Sequence, residues 1–124
     1  MFTAELAPPD DRQRVFLSAD GRARLVVTAS ARTRKTIASQ RQSIINQHYA
    51  DARFDYTPMR DTWFVLSGTK GREMFYEHVA LACGGRALLD WQLTYQVAER
   101  EFYDRVVEEI HRRFRSRDGK ESCG

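Results

Sequence analysis

Three runs of sequence decide the fold: Asp61-Thr-Trp-Phe-Val-Leu-Ser-Gly68, then Glu73-Met-Phe-Tyr-Glu-His-Val-Ala-Leu-Ala-Cys83, then, after Gly84-Gly85, Arg86-Ala-Leu-Leu-Asp-Trp-Gln-Leu-Thr-Tyr95. Stretches rich in aromatic and β-branched residues, separated by two glycine-bearing turns, have the pattern of an antiparallel meander. A two-residue turn at Gly84-Gly85 pairs Cys83 with Arg86, and the register runs back from there. His78 then lies opposite Trp91, Tyr76 opposite Leu93 and Ala80 opposite Leu89, all on one face. The other face carries Phe75, Val79, Leu81 and Leu88, mixed with Glu77, Asp90 and Gln92. Both faces hold apolar side chains, and a sheet apolar on both sides needs cover on both.

The cover is present in the sequence. Upstream, Val15-Phe-Leu-Ser18 and Ala23-Arg-Leu-Val-Val-Thr28 flank Asp20-Gly21, a strong hairpin signal because glycine tolerates positive φ. Residues 36–49 space Ile37, Arg41 (through its aliphatic stem), Ile44, Ile45 and His48 on one helical face, with Thr33 or Thr36 available as a cap. Arg53-Phe-Asp-Tyr-Thr57 alternates as a strand and is stopped by Pro58. Residues 97–115 form an amphipathic helix, with Ala98, Phe102, Val106, Ile110 and Phe114 as its apolar stripe, widened by Tyr103 and Val107. Its other face carries Glu101/Arg105, Glu108/Arg112 and Glu109/Arg113, acid before base at i, i+4. The order is β-β-α-β-β-β-β-α: an α+β chain with an antiparallel sheet and two helices packed on it. It reads as one domain with an ordered core at about 13–115, a flexible arm at 1–12 and a frayed tail at 116–124.

Composition narrows the function classes. Of 124 residues, 42% are hydrophobic and 30% charged, which describes a soluble globular chain. No apolar run is long enough for a membrane-spanning helix. The first residues lack the basic and apolar regions of a signal peptide, so the chain as given reads as cytoplasmic. The net charge of +3 is mild, and arginine supplies seventeen of the twenty basic residues, so charge alone points weakly to nucleic acid. Cys83 and Cys123 read as a buried thiol and a free tail thiol.

Catalytic patterns do not assemble. His48, His78, His111, Cys83 and Cys123 have no metal-ligand spacing, and neither metal nor cofactor is expected. Ser67-Gly68 is not a nucleophile elbow. Cys83 and His78 are five residues apart on one strand and point to opposite faces. Gly68-Thr-Lys-Gly71 joins two strands without a following helix, so it reads as a hairpin loop and not as a phosphate cradle. Glu77 and Asp90 share a face, offset diagonally by two residues. They are either a glycosidase-like carboxylate pair or two rim groups that each meet an arginine or water. Arg12, Arg14, Arg22, Arg24, Arg32, Arg34 and Lys35 crowd the first third, where a charged edge hairpin is the plainer reading than an RNA-binding surface.

The runs Thr62-Trp-Phe-Val-Leu-Ser-Gly68, Phe75-Tyr-Glu77, Cys83-Gly-Gly-Arg86 and Leu93-Thr-Tyr95, with Glu99, Tyr103-Asp104, Val107-Glu108 and the earlier Ser18-Ala-Asp-Gly-Arg-Ala-Arg-Leu25, carry a resemblance over residues 14–115. The chain resembles a group of uncharacterised bacterial proteins with the PsbP-like α/β/α sandwich, a fold shared with the photosystem II protein PsbP and a Ran-binding nuclear-import factor. That resemblance implies a non-enzymatic binding or assembly role and, for many of the bacterial relatives, export, so a periplasmic location if a leader precedes the chain. It transfers no catalytic residue, and Gln96 departs from the proline that opens the last helix in the relatives.

The reading from sequence is therefore a small binding or assembly module with a protein partner. Its expected working surface lies where aromatics and arginines meet: Trp63, Tyr76, His78 and Trp91 near Arg60 and Arg72. The rivals are a small hydrolase that uses His78, Glu77 and Asp90 around a pocket, and an RNA-binding protein that uses the arginine-rich first third.

Overall fold

A computed structural model of the chain describes residues 2–4, 13–31 and 36–115. The strands are β1 (Phe2–Ala4), β2 (Gln13–Ser18), β3 (Arg24–Ala31), β4 (Arg53–Tyr56), β5 (Trp63–Lys70), β6 (Glu73–Ala82) and β7 (Ala87–Gln96), and the helices are α1 (Ile37–His48) and α2 (Arg100–Arg115). All seven strands join one antiparallel sheet in the order β1-β2-β3-β7-β6-β5-β4. β1 is a strand beyond the six expected: within the presumed flexible arm, Phe2–Ala4 pairs with β2. The rest of the arm (5–12, with Arg12), the tail (116–124, with Cys123) and residues 32–35 (Arg32, the cap candidate Thr33, Arg34 and Lys35) lie outside the described residues.

Each turn has a local cause. In the β2–β3 hairpin Ser18 Oγ donates to Asp20 Oδ1 at 2.6 Å, and the amides of Arg22 and Ala23 donate to Asp20 Oδ1 and Ser18 Oγ at 3.0 Å. Between β6 and β7, Gly84 and Gly85 adopt φ of 65° and 89°, values that side-chain-bearing residues seldom reach. That turn sets the expected register, with His78 opposite Trp91, Tyr76 opposite Leu93 and Ala80 opposite Leu89. Thr36 caps α1, its side chain accepting from Ser39 N at 3.0 Å. At the other end of α1, Lys70 Nζ donates to the His48 carbonyl at 3.0 Å, a cation placed where the helix dipole favours it.

Two cores lie on opposite faces. α2 covers Val65, Met74, Tyr76, Trp91, Leu93 and Tyr95 with Tyr103 and Val107. α1 and the turn after it cover Phe64, Leu66, Phe75, Val79 and Leu88 with Ile37, Ile44 and Tyr49. The buried stripe of α2 is rotated from the expected one. Tyr103 and Val107 are buried, whereas Phe102 is 47% exposed and Ala98 is exposed. The cause is ring packing: Tyr103 stacks on Tyr95 at 5.1 Å, which turns Phe102 outward. Among the described residues, no helix is long and apolar enough to cross a membrane.

The segment expected as a loop at Gly68-Thr-Lys-Gly71 is mostly strand. β5 runs to Lys70, opposite Glu73, and the turn is Gly71-Arg72. Gly68 is glycine because β4 passes against it: a Cβ there would lie 1.9 Å from the Arg53 carbonyl oxygen and 2.9 Å from Phe54 Cα. Gly68→Ala is expected to push β4 off the sheet and cost about 3 kcal/mol in urea denaturation. Gly71→Ala meets only open space and a φ of 64°, and is expected to cost about 1 kcal/mol. Equal losses from the two substitutions would contradict this assignment.

Candidate functional site

The β6–β7 register divides the polar residues of the meander between two chambers. On the α1 face, Glu77 and Asp90 hydrogen-bond to each other, Tyr49 Oη donates to Glu77 Oε1 at 2.6 Å, and Gln92 Nε2 donates to Tyr49 Oη. Tyr49 and Glu77 are 3% and 5% exposed. Burial, reinforced by the Glu77 carboxylate, pushes Asp90 well above the usual carboxylate range, so the pair holds a proton at neutral pH. Burial and the same carboxylate raise the Tyr49 phenol, which stays protonated and donates. Tyr49 also stacks on Phe75 with ring centroids 4.2 Å apart. Of the two arrangements left open by the sequence, the residues do not stand apart at a rim: Glu77 is buried and the half-buried Asp90 lies against it on the α1 face.

On the α2 face, Trp63, His78 and Trp91 form a ladder of stacked rings across β5, β6 and β7, with centroids 5.9 and 5.7 Å apart. Tyr76 stacks on Trp91 at 5.3 Å. His111 of α2 stands edge-on to Tyr76, His78 and Trp91, and its Nε2 lies 2.6 Å from Tyr76 Oη. Burial, with His111 beside it, lowers the His78 pKa to about 4. At the open end of the ladder the Arg60 guanidinium lies over the half-buried Trp63 ring, 5.8 Å from its centroid.

Beside this ladder an open groove of about 860 Å³ runs between α2 and the β4 edge. Tyr76, Tyr95, Ser67 and Met74 line it from the sheet, Asp55 and Tyr56 from β4, and Arg100, Asp104, Glu108, His111 and Arg112 from α2. Tyr56 is exposed at its rim, at 54%.

Of the residues singled out in the sequence, Trp63, Tyr76, His78, Trp91 and Arg60 come together on one face. Trp91 is fully buried and serves the core, Tyr76 reaches the groove, and Trp63 forms the ladder's outer end. Arg72 stands apart. It sits in the turn at the far end of β5 from Trp63, where its carbonyl accepts from Val97 N at 3.2 Å. The hydrolase set is split, since His78 lies on the α2 face and Glu77 and Asp90 on the α1 face. Among the described residues, no group of three or more His, Cys, Asp or Glu could hold a metal ion. Sequence reasoning passed over Tyr49, His111, Asp55 and Asp104 as site residues. Tyr49 meets Glu77 across 28 residues and His111 meets Tyr76 across 35, separations at which no local pattern signals contact. Comparison of the sequence with protein-family models finds no match, and comparison with curated proteins finds none.

The two chambers titrate in opposite senses. Asp90 keeps a proton that the unfolded chain releases above its ordinary pKa of 3.8, so its contribution to stability declines as pH rises from there. His78 stays neutral in the fold, so stability is full above 6.5 and is lost as pH falls toward 4. Between about pH 4 and 6.5 the two slopes oppose each other, so urea midpoints are expected to stay nearly level there and to fall as pH rises above 6.5. Asp90→Asn, which supplies a permanent donor to Glu77, is expected to flatten the alkaline limb between about pH 6 and 9. His78→Phe is expected to recover about 2 kcal/mol at pH 4.5 relative to the parent. Unchanged limbs in both variants would refute these protonation states.

Proposed function

We propose that the chain is a non-enzymatic binding or assembly module that engages a protein partner through the groove between α2 and β4. The observation that carries this reading is the groove itself, an open channel floored by Tyr76 and Tyr95, whose rings are held by the core, and rimmed by the exposed Tyr56. Fixed aromatic rings with polar tips are what partner hot spots are made of.

The absence of catalysis is part of the proposal. Glu77 is engaged by Tyr49, which Gln92 in turn holds, and by Asp90, and the sheet keeps His78 from both carboxylates. The same reading places the chain with the PsbP-like α/β/α sandwiches, and the helix–sheet–helix layering is compatible with that kinship.

A photo-crosslinking residue at position 56, in the native host, tests the reading against one at Gln42 on the exposed side of α1. The reading expects a discrete adduct from position 56 and none from position 42. Adducts from neither position, or equally from both, would overturn it.

A further inference from the structure

We propose that the groove takes a cationic side chain of the partner, arginine in preference to lysine, from an exposed segment of a protein. This rests on the groove being the working surface.

The argument is one of charge and shape. The chain as a whole is basic, with net charge +3, yet the groove draws carboxylates from both walls: Asp55 from β4, and Asp104 and Glu108 from α2. Its two guanidiniums do not cancel them. Arg112 turns to Glu109 at 3.2 Å instead of pairing with Glu108, and Arg100 reaches Asp104 only at 3.9 Å with 64% of its side chain exposed. Among the described residues, no ion pair joins Asp55 or Glu108 to a cation.

The floor registers the imbalance. Tyr95 Oη lies 3.5 Å from Asp104 Oδ1, and its pKa is pushed up to about 12, first by burial and then by Asp104. Arg100 opposes that rise more weakly than Asp104 drives it, and Asp55 adds to it. The exposed Tyr56 ring at the rim, next to Asp55, completes a site for a planar cation. A guanidinium stacks on such rings and offers paired N–H groups to carboxylates, which an ammonium cannot do in the same geometry. A nucleic acid would bring phosphates against the same carboxylates.

The test is an amide chemical-shift titration of the full chain at low salt with blocked pentapeptides Gly-Gly-X-Gly-Gly, X being Arg, Lys, Glu or Trp, and with a short single-stranded RNA. The expected result is saturable shifts at Asp55, Tyr56, Tyr95, Asp104 and Glu108 with Arg, weaker ones with Lys, and none with Glu or RNA. Asp55 and Glu108 are both exposed, so Asp55→Asn with Glu108→Gln should leave the fold intact while weakening the Arg peptide about tenfold. Groove shifts with Trp but not with Arg would overturn the cationic commitment and leave the groove as the binding surface. Groove shifts with Glu or RNA would overturn the commitment too. If no ligand moves the groove amides, both readings fall.

Discussion

The pairing of β6 with β7 is the constraint on which the rest of the molecule depends. Side chains alternate along a strand, so a slip of one residue would send every side chain of one partner to the other face. The register is held from two directions. The Gly84-Gly85 turn needs positive φ at both positions, and Trp91, Leu93 and Tyr95 are all buried against α2. Burying each of these side chains is worth about 1.5–3 kcal/mol, so a slipped register would forfeit several such terms together.

That register has a cost, because it also turns Glu77 and Asp90 inward on the α1 face. Two interacting carboxylates, Glu77 buried and Asp90 half-buried, cannot both be ionised without strong repulsion. The fold meets the difficulty with a retained proton and with Tyr49, which closes α1 and donates directly to Glu77. The chemistry left facing outward lies on the other side of the sheet. There Tyr76 and Tyr95 reach the groove with their rings braced by Trp91 and Tyr103. Division by the sheet thus separates a closed chamber from an open one.

Much of the scaffold was legible in the sequence because it is written in local signals. Asp20-Gly21 and Gly84-Gly85 mark turns by their φ requirement, Thr36 caps the helix it precedes, and period-two alternation assigns the faces of β6 and β7. Legibility fails where a long-range partner decides. Gly68 looked like part of a loop, but its role is to let β4 pass close by, which no neighbouring residue announces. Phe102 and Tyr103 are both apolar enough for the α2 stripe, and only the Tyr95 ring selects between them. Glu77 and Asp90 were correctly placed on one face, yet their proton sharing needed Tyr49 and the depth of the α1 core, neither of which a strand pattern carries. Of the candidate site, the aromatic ladder was visible and the acidic wall on α2 was not. The helical spacing pairs Glu108 with Arg112, whereas the fold pairs Arg112 with Glu109.

The division of the sheet into a closed acidic chamber and an open groove is tested most directly by carboxyl-carbon NMR of the full chain, with Asp and Glu labelled and followed through pH 7. The account requires the Asp90 carboxyl to hold the protonated chemical shift at neutral pH, because the register forces it against Glu77 in the core. An Asp90 resonance already at the ionised position at pH 7 would contradict it.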